Sequence, residues 1–147
     1  MTNHPFTTSS PYETESLASE LLKKYEHHNV WLLQGNLGTG KTTFVRGIAK
    51  ALGITQPIKS PTFTYLNSYP LPSTFYPLPS TLYHFDLYRL PENTQDFPEL
   101  TEALGKKDAL IIIEWPERLQ TQPSPALHLQ FNRNPNNTHT ISATTRQ

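Results

Sequence analysis

Three glycines, a lysine and a threonine have the spacing of a loop that binds phosphate groups. Residues 35–42 read Gly-Asn-Leu-Gly-Thr-Gly-Lys-Thr, which fits the pattern G-x-x-x-x-G-K-S/T. Glycines let the main chain approach phosphates closely and adopt positive φ, so that backbone amides form a concave set of donors. The lysine can reach the terminal phosphates and the threonine hydroxyl can ligate Mg²⁺. This pattern predicts nucleotide binding and leaves the reaction open.

The segments on either side of this loop are those that a phosphate loop requires. Residues 30–33 are an apolar run typical of a short buried strand. Residues 41–52 carry apolar side chains at helical spacing, and Gly53 is suited to end that helix. The first turn of the helix would add unpaired N–H groups and a positive dipole end to the phosphate site.

Two carboxylates are candidates for holding Mg²⁺ or its water shell. Glu114 ends the apolar run of residues 109–113, which is typical of a strand buried on both faces of a parallel sheet. Asp86 lies in a second strand pattern, on the same face as His84 and opposite Phe85 and Leu87. An Asp in a strand is more often a solvent or edge residue, but a phosphate loop in the same chain favours the active site for both carboxylates.

Residues 60–64, Ser-Pro-Thr-Phe-Thr, follow the helix of the phosphate loop. Thr62 in this segment could sense the γ-phosphate or its metal, as switch segments do. An ordinary proline turn that enters a strand explains the segment equally well, and the residues alone leave both interpretations open.

The remaining pattern predicts one α/β domain with a mainly parallel sheet, flanking helices and a C-terminal antiparallel hairpin. Residues 1–12 are interpreted as a loose arm or an edge strand, and a helix capped by Thr14 or Ser16 follows. The other predicted elements are strands at residues 62–69 and 82–88, a helix at residues 98–104, and hairpin strands at residues 127–131 and 138–143 around a turn at residues 134–137.

A seven-residue unit occurs twice in succession at residues 69–75 and 76–82, as Tyr-Pro-Leu-Pro-Ser-Thr followed by Phe or Leu. Because proline lacks an N–H for the sheet, we expect residues 69–82 to form a loop outside it. The duplication could be a polyproline II docking segment, but a lengthened surface loop is the favoured interpretation.

Composition narrows the function classes. The 147 residues suit one compact domain. The 12 basic and 12 acidic side chains give a net charge of zero, which argues against direct, tight binding of RNA or DNA. The chain has no cysteine, and its six histidines are scattered rather than spaced as zinc ligands. Neither a secretory leader nor a long apolar span is visible, which predicts a cytoplasmic protein without membrane contact.

Four segments together resemble the TsaE (YjeE) family. They are residues 35–44, residues 59–64 (Lys-Ser-Pro-Thr-Phe-Thr), residues 84–90 (His-Phe-Asp-Leu-Tyr-Arg-Leu) and residues 113–119 (Ile-Glu-Trp-Pro-Glu-Arg-Leu). The last two are far more specific than the phosphate loop. Members of this family are ATPases of the bacterial pathway that makes threonylcarbamoyladenosine at position 37 of tRNA. The resemblance implies that ATP hydrolysis by this chain drives turnover of the complex of the TsaB and TsaD proteins. It also implies that the chain reaches tRNA only through that complex.

The resemblance also implies roles for residues of this chain. It makes ATP and Mg²⁺ the cofactors, Thr42 and Glu114 the metal residues, and Asp86 and Trp115 functionally required neighbours. Glu13 with Thr14, and the turn near Asn136, match the regions that approach the base. The complete set of predicted nucleotide-contacting residues is Glu13, Gly35, Asn36, Leu37, Gly38, Thr39, Gly40, Lys41, Thr42 and Thr43, and the predicted catalytic set is Lys41, Thr62, Asp86, Glu114 and Trp115.

Two other functions fit a phosphate loop. A small-molecule kinase would share the loop and the magnesium carboxylate, but it needs an acceptor pocket and a basic lid for which few residues remain. A nucleotide-gated docking module without useful hydrolysis would not need the intact set of Lys41, Thr42, Asp86 and Glu114. We expect weak ATPase activity in the isolated chain, because no arginine finger is evident beyond the candidate Arg89.

Overall fold

The computed structural model describes residues 4–61, 65–72 and 79–146, which form a seven-stranded sheet with helices on both faces. The elements are β1 (His4–Thr8), α1 (Pro11–Lys24), β2 (Val30–Gln34), α2 (Lys41–Ala51), β3 (Leu66–Pro70), β4 (Thr81–Asp86), α3 (Pro98–Leu104), β5 (Ala109–Glu114), β6 (Ala126–Arg133) and β7 (His139–Arg146). A short 3₁₀ turn, Pro116–Arg118, follows β5.

The strand order is β1-β7-β6-β2-β5-β4-β3. The four central strands β6, β2, β5 and β4 pair in parallel, whereas the pairs β1–β7, β7–β6 and β3–β4 are antiparallel. The predicted α/β fold and its C-terminal hairpin are therefore confirmed. The parallel part is confined to the middle of the sheet, and β2, which precedes the phosphate loop, lies there between β5 and β6.

Alternation along the strands divides the apolar side chains between two layers. Trp31 and Leu33 of β2 face α1 and α2, while Val30 and Leu32 face the opposite side, where α3 packs. All six residues of β5 are buried, as the uninterrupted apolar run predicts for a strand covered on both faces. This burial holds β5 rigidly, so the residue at its carboxyl end has a defined position.

Helix α1 begins earlier than the apolar periodicity predicts. Ser10, rather than Thr14 or Ser16, is the N-cap, because its hydroxyl accepts a hydrogen bond from the Glu13 N–H at 3.1 Å. Pro11 follows at the first helical position, where its missing N–H costs nothing. The first turn was missed because it faces solvent and carries no apolar side chain of the core stripe.

The structure decides how each edge of the sheet is formed. Of the two alternatives for the N-terminal segment, the structure has the edge strand, with β1 pairing along β7. The expectation that the proline repeat lies wholly outside the sheet is wrong at its ends, since Tyr69 and Pro70 of β3 pair with Leu82 and Thr81 of β4. Pro70 is accommodated because β3 is an edge strand. The middle of the repeat, residues 73–78, lies outside the described residues.

Strand β4 ends at Asp86, two residues before the predicted end. The Asp86 carboxylate accepts a hydrogen bond from the Tyr88 N–H at 3.1 Å, which turns the chain away from the sheet. In the segments that the structure describes, no helix has both the length and the apolar character needed to span a membrane.

Candidate functional site

The phosphate loop connects the carboxyl end of β2 to the amino end of α2. A Cβ built on Gly35 would lie 2.5 Å from the carbonyl oxygen of Phe131, so a side chain at this position would collide with β6. Gly40, the N-cap of α2, has φ of 102°, a conformation that favours glycine. The loop glycines are therefore required both for close strand packing and for the turn that aims the amides of α2 at the cavity.

Lys41 is the first residue of α2, and its side chain folds back over the loop. The ammonium group donates hydrogen bonds to the carbonyl oxygens of Gly35 and Asn36, the latter at 2.9 Å. It also lies 4.5 Å from the centre of the Trp115 ring, within range of a cation–π contact. Burial lowers the pKa of Lys41, while the nearby carboxylates, Glu114 foremost, act in the opposite direction.

Glu114 and Asp86 end neighbouring parallel strands and are direct register partners. The sheet therefore brings together two carboxylates that are separated in the sequence. Glu114 is 3% exposed, and each of its carboxylate oxygens lies 3.4 Å from the Thr42 hydroxyl. Burial, and secondarily the charge of Glu114, raises the pKa of Asp86.

A buried histidine contacts Glu114 from the adjacent strand. Nε2 of His84 lies 2.6 Å from Oε2 of Glu114, and the His84 side chain is completely buried. Sequence reasoning placed His84 on the same strand face as Asp86 but did not assign it to the site. Two-residue alternation puts positions 84 and 86 on one face of β4, but only the pairing of β4 with β5 brings His84 to Glu114.

Trp115 leaves β5 with left-handed backbone angles, φ 60° and ψ 48°. Such angles are costly for a residue other than glycine and persist where surrounding contacts enforce them. The Trp115 ring lies 4.8 Å from the ring of Tyr88 and 5.1 Å from the guanidinium carbon of Arg118. These contacts place the indole beside Lys41 at the mouth of the site.

These groups surround a cavity of about 330 Å³ at the carboxyl edge of the central strands. Its lining residues are Leu37, Gly38, Thr39, Gly40, Lys41, Thr42, Thr43, Ser60, Asp86, Tyr88, Glu114, Trp115 and His139. Most residues predicted from the sequence are thus brought together. Tyr88 and His139 were not predicted, and His139 had no local signal because it lies on β7, far along the chain from the loop.

Some predicted residues lie elsewhere. Gly35 and Asn36 contact Lys41 through their carbonyls rather than lining the cavity. The Glu13 carboxylate accepts hydrogen bonds from Ser9 at the start of α1, and Glu13 does not line the cavity. Thr62 lies outside the described residues. The assignment of Glu13 to nucleotide contact and the assignment of Thr62 to catalysis therefore remain predictions.

The turn near Asn136, which is predicted to approach the base, connects β6 to β7. The Asn136 side chain accepts hydrogen bonds from the N–H and hydroxyl of Thr138 and so stabilises its own turn. Thr14, Asn137 and His139 line a smaller cavity of about 130 Å³. It shares Gly40, Thr43 and His139 with the main cavity, so the two spaces adjoin.

The donor chemistry of the main cavity fits both a phosphate chain and Mg²⁺. Mg²⁺ prefers oxygen ligands, and Thr42, Asp86 and Glu114 present a hydroxyl and two carboxylates to one space. The first N–H groups of α2 face the same space and suit anionic oxygens.

The chain is similar to known proteins over most of its length. The sequence model of the family described as "Threonylcarbamoyl adenosine biosynthesis protein TsaE" matches residues 8–141. A relative from Nostoc sp. PCC 7120, named tRNA threonylcarbamoyladenosine biosynthesis protein TsaE, is 43% identical over 106 residues, which cover 69% of this chain and 60% of the relative. A relative of the same name from Aquifex aeolicus is 39% identical over 111 residues, 74% of each chain.

A solved structure has the same fold. The crystal structure of Bacillus subtilis YdiB superposes with a TM-score of 0.75 at 28% sequence identity, covering 98% of this chain and 86% of YdiB. The chain spans less than two thirds of the length of the Nostoc relative.

Proposed function

The chain belongs to the TsaE family, and we propose that it binds ATP with Mg²⁺ and hydrolyses ATP in the biosynthesis of threonylcarbamoyladenosine in tRNA. One observation carries the proposal: a phosphate loop and two carboxylates from neighbouring parallel strands line a single cavity. The site residues named below are proposed on that basis.

The loop geometry supports phosphate binding. In the structure the Lys41 ammonium group donates hydrogen bonds to two carbonyl oxygens of the loop. We propose that phosphate oxygens replace those carbonyls as acceptors, while the N–H groups of Gly38, Gly40 and the first turn of α2 surround the phosphates. Lys41 is 5% exposed and its ammonium group contacts the Trp115 ring, and a buried charge attracts a bound anion more strongly than an exposed one.

Thr42 and Glu114 are the proposed metal residues, because their oxygens lie together beside the loop. Bound Mg²⁺ would neutralise charge on the β- and γ-phosphate oxygens. Asp86, which is partly buried at the same edge, is proposed to accept a hydrogen bond from the attacking water and orient it toward the γ-phosphorus. The products of that attack are ADP and inorganic phosphate.

Slow hydrolysis is expected of the chain by itself. Phosphoryl transfer is accelerated by cations near the charge that develops, and Lys41 is the sole Lys or Arg that lines the main cavity within the described ranges. Arg89 borders a separate small cavity beside Asp86. We propose that TsaB and TsaD stimulate hydrolysis, that tRNA is contacted only through these partners, and that the protein acts in the cytoplasm.

Phosphate release with and without TsaB and TsaD tests the activity. Glu114→Gln should keep the fold and bind ATP within about tenfold of wild type but lose nearly all stimulated hydrolysis, because positioning of metal and water needs the negative charge. Normal hydrolysis by Glu114→Gln together with loss in Asp86→Asn would contradict the assignment of Glu114 to the metal and transfer it to Asp86.

Titration calorimetry with Lys41→Ala tests the phosphate loop. This variant should lose most ATP affinity and less ADP affinity, because the lysine contacts the terminal phosphates. Lys50→Ala is the control, since Lys50 is an exposed cation on the same helix, 3.9 Å from Glu15. Unchanged ATP binding by folded Lys41→Ala would rule out the loop assignment. Phosphate transfer to an added small-molecule acceptor would instead favour a kinase.

A further inference from the structure

His84 is the most deeply buried ionisable residue beside the proposed metal site. Its side chain has no exposed surface, and its Nε2 lies 2.6 Å from Oε2 of Glu114. The sheet explains the contact. His84 on β4 is the register partner of Ile112 on β5, so Glu114 is its diagonal neighbour on the same face, within reach of a long side chain.

The two ring nitrogens of His84 have different surroundings. Nδ1 is buried and has no hydrogen-bond partner among the residues that the structure describes. Leu82 and Ile112, its neighbours on the same sheet face, are fully buried and apolar. A proton on Nδ1 would therefore be an unpaired donor in the core, which is costly. The arrangement that satisfies the ring within the described residues has a proton on Nε2, which is donated to the Glu114 carboxylate.

The contact restricts what Glu114 can do. Oε2 is occupied by His84, and the Thr42 hydroxyl lies equally close to both oxygens. A carboxylate held at one oxygen by a buried donor keeps one rotamer and directs its other oxygen, here Oε1, toward the cavity. Residues that orient a metal ligand in this way commonly change metal affinity or activity by about 10–100-fold when they are replaced.

We propose that His84 is a positioning residue, which donates from Nε2 to Glu114 and holds Oε1 in place beside Thr42 for Mg²⁺. The inference rests on the proposed function, since it assigns the metal to Glu114. The simpler alternative is that His84 and Glu114 form a buried polar pair that only stabilises the sheet. If His84 is a positioning residue, its Nε2 donor determines how the site responds to Mg²⁺. If the pair only stabilises the sheet, position 84 contributes core packing and the Mg²⁺ response does not depend on the donor.

Nitrogen-15 NMR of the nucleotide-free protein tests the tautomer. The His84 ring signals, identified by their loss in His84→Gln, should show a protonated Nε2. An unprotonated Nε2 would overturn the proposal, because that nitrogen could then donate nothing to Glu114. This measurement needs no nucleotide, so it tests the Nε2 donor even if the wild-type protein binds none and the proposed function fails.

A matched pair of variants tests the positioning role. The amide nitrogen of Gln in His84→Gln can lie near the position of Nε2, whereas the shorter side chain of His84→Asn cannot reach Glu114. The Mg²⁺ concentration at half-maximal enhancement of ADP binding, followed by calorimetry, should stay within about threefold of wild type in His84→Gln. It should rise about tenfold or more in His84→Asn.

Leu82→Val is the control for lost packing, because Leu82 lies two residues away on the same strand and face. It should lower the melting temperature without changing the Mg²⁺ dependence. A wild-type Mg²⁺ dependence in folded His84→Asn, or equal losses in His84→Asn and Leu82→Val, would overturn the proposal. If neither His84 variant folds, an unprotonated Nε2 in the wild-type protein would still overturn the proposal.

Discussion

The charged carboxylate of Asp86 lowers the stability of the nucleotide-free protein. Burial and the adjacent charge of Glu114 raise its pKa, which means that folding disfavours the charged carboxylate. The destabilisation is therefore present above the folded-state pKa and disappears as the pH falls toward the unfolded value near 3.8. Carboxylates with a raised pKa are common in sites where a charge must be available for a ligand.

Asp86→Asn should raise the melting temperature of the nucleotide-free protein at pH 7, because the amide carries no charge and still accepts a hydrogen bond from the Tyr88 N–H. The gain should shrink as the pH is lowered toward 4. Thermal unfolding followed by circular dichroism across this range measures it, with Asp96→Asn at an exposed position as the control. A lower melting temperature for Asp86→Asn at pH 7 would contradict the assignment of a raised pKa.

The packing of α1 against α2 depends on one helical position without a side chain. A Cβ at Gly47 in α2 would lie 2.6 Å from the backbone of Glu15 in α1, closer than real Cβ contacts permit. Gly47→Ala should thus destabilise the protein by about 1–3 kcal/mol through overpacking, although Ala exceeds Gly in helix propensity by about 1 kcal/mol. Denaturation by urea measures the change.

Gly105→Ala is the control for this effect. Gly105 caps α3 with φ of −81°, and a Cβ there would meet its nearest neighbour at 3.5 Å, an ordinary contact. It should be neutral or stabilising by up to about 1 kcal/mol. Destabilisation of Gly105→Ala equal to that of Gly47→Ala would show that loss of glycine itself, rather than helix contact, is responsible.

The hairpin between β3 and β4 tolerates a shorter connection only if its core residue is kept. Removing residues 75–81 leaves Leu82, which is fully buried, and retains one copy of Leu-Pro-Ser-Thr before it. We expect partner-stimulated ATPase to be retained but the melting temperature to fall. The connection between the positions of Pro70 and Thr81 shrinks to three residues, which is too short to keep the hydrogen bond from the Leu71 N–H to the carbonyl of position 80.

Removing residues 76–82 is the contrasting deletion, because it puts Phe75 in the place of Leu82. The larger ring should cost about 1–3 kcal/mol by overpacking. Loss of stimulation in the first deletion, measured at a temperature at which the variant is folded, would identify the repeat as a docking element rather than a lengthened loop.

The charge of the whole molecule bears on how it reaches tRNA. The 12 basic and 12 acidic residues cancel, so the chain has no net attraction to a phosphate backbone. Fluorescence anisotropy with labelled tRNA should show binding weaker than about 10 µM at ~0.15 M salt for the isolated chain, and much tighter binding when TsaB and TsaD are added. Submicromolar binding by the chain alone, with a steep salt dependence, would contradict indirect contact.

The sequence by itself determined the features that depend on neighbouring residues. The phosphate loop, the helix of residues 98–104 and the buried strand of residues 109–114 were predicted with the bounds that the structure has. Local patterns suffice there because glycine conformation, helical periodicity and an uninterrupted apolar run are properties of short segments. The solvent-facing ends of elements, such as the first turn of α1 after Ser10, could not be predicted, because no apolar residue marks them.

Only the tertiary structure decided which distant residues meet. Parallel pairing of β4 with β5 sets Asp86 beside Glu114 and brings His84 within 2.6 Å of the same carboxylate, and the C-terminal hairpin adds His139 to the cavity. These contacts depend on strand order and register, which no short segment encodes. Strand order and register follow instead from how all the apolar faces are buried at once, which is why the loop could be predicted from the sequence and the surroundings of its carboxylates could not.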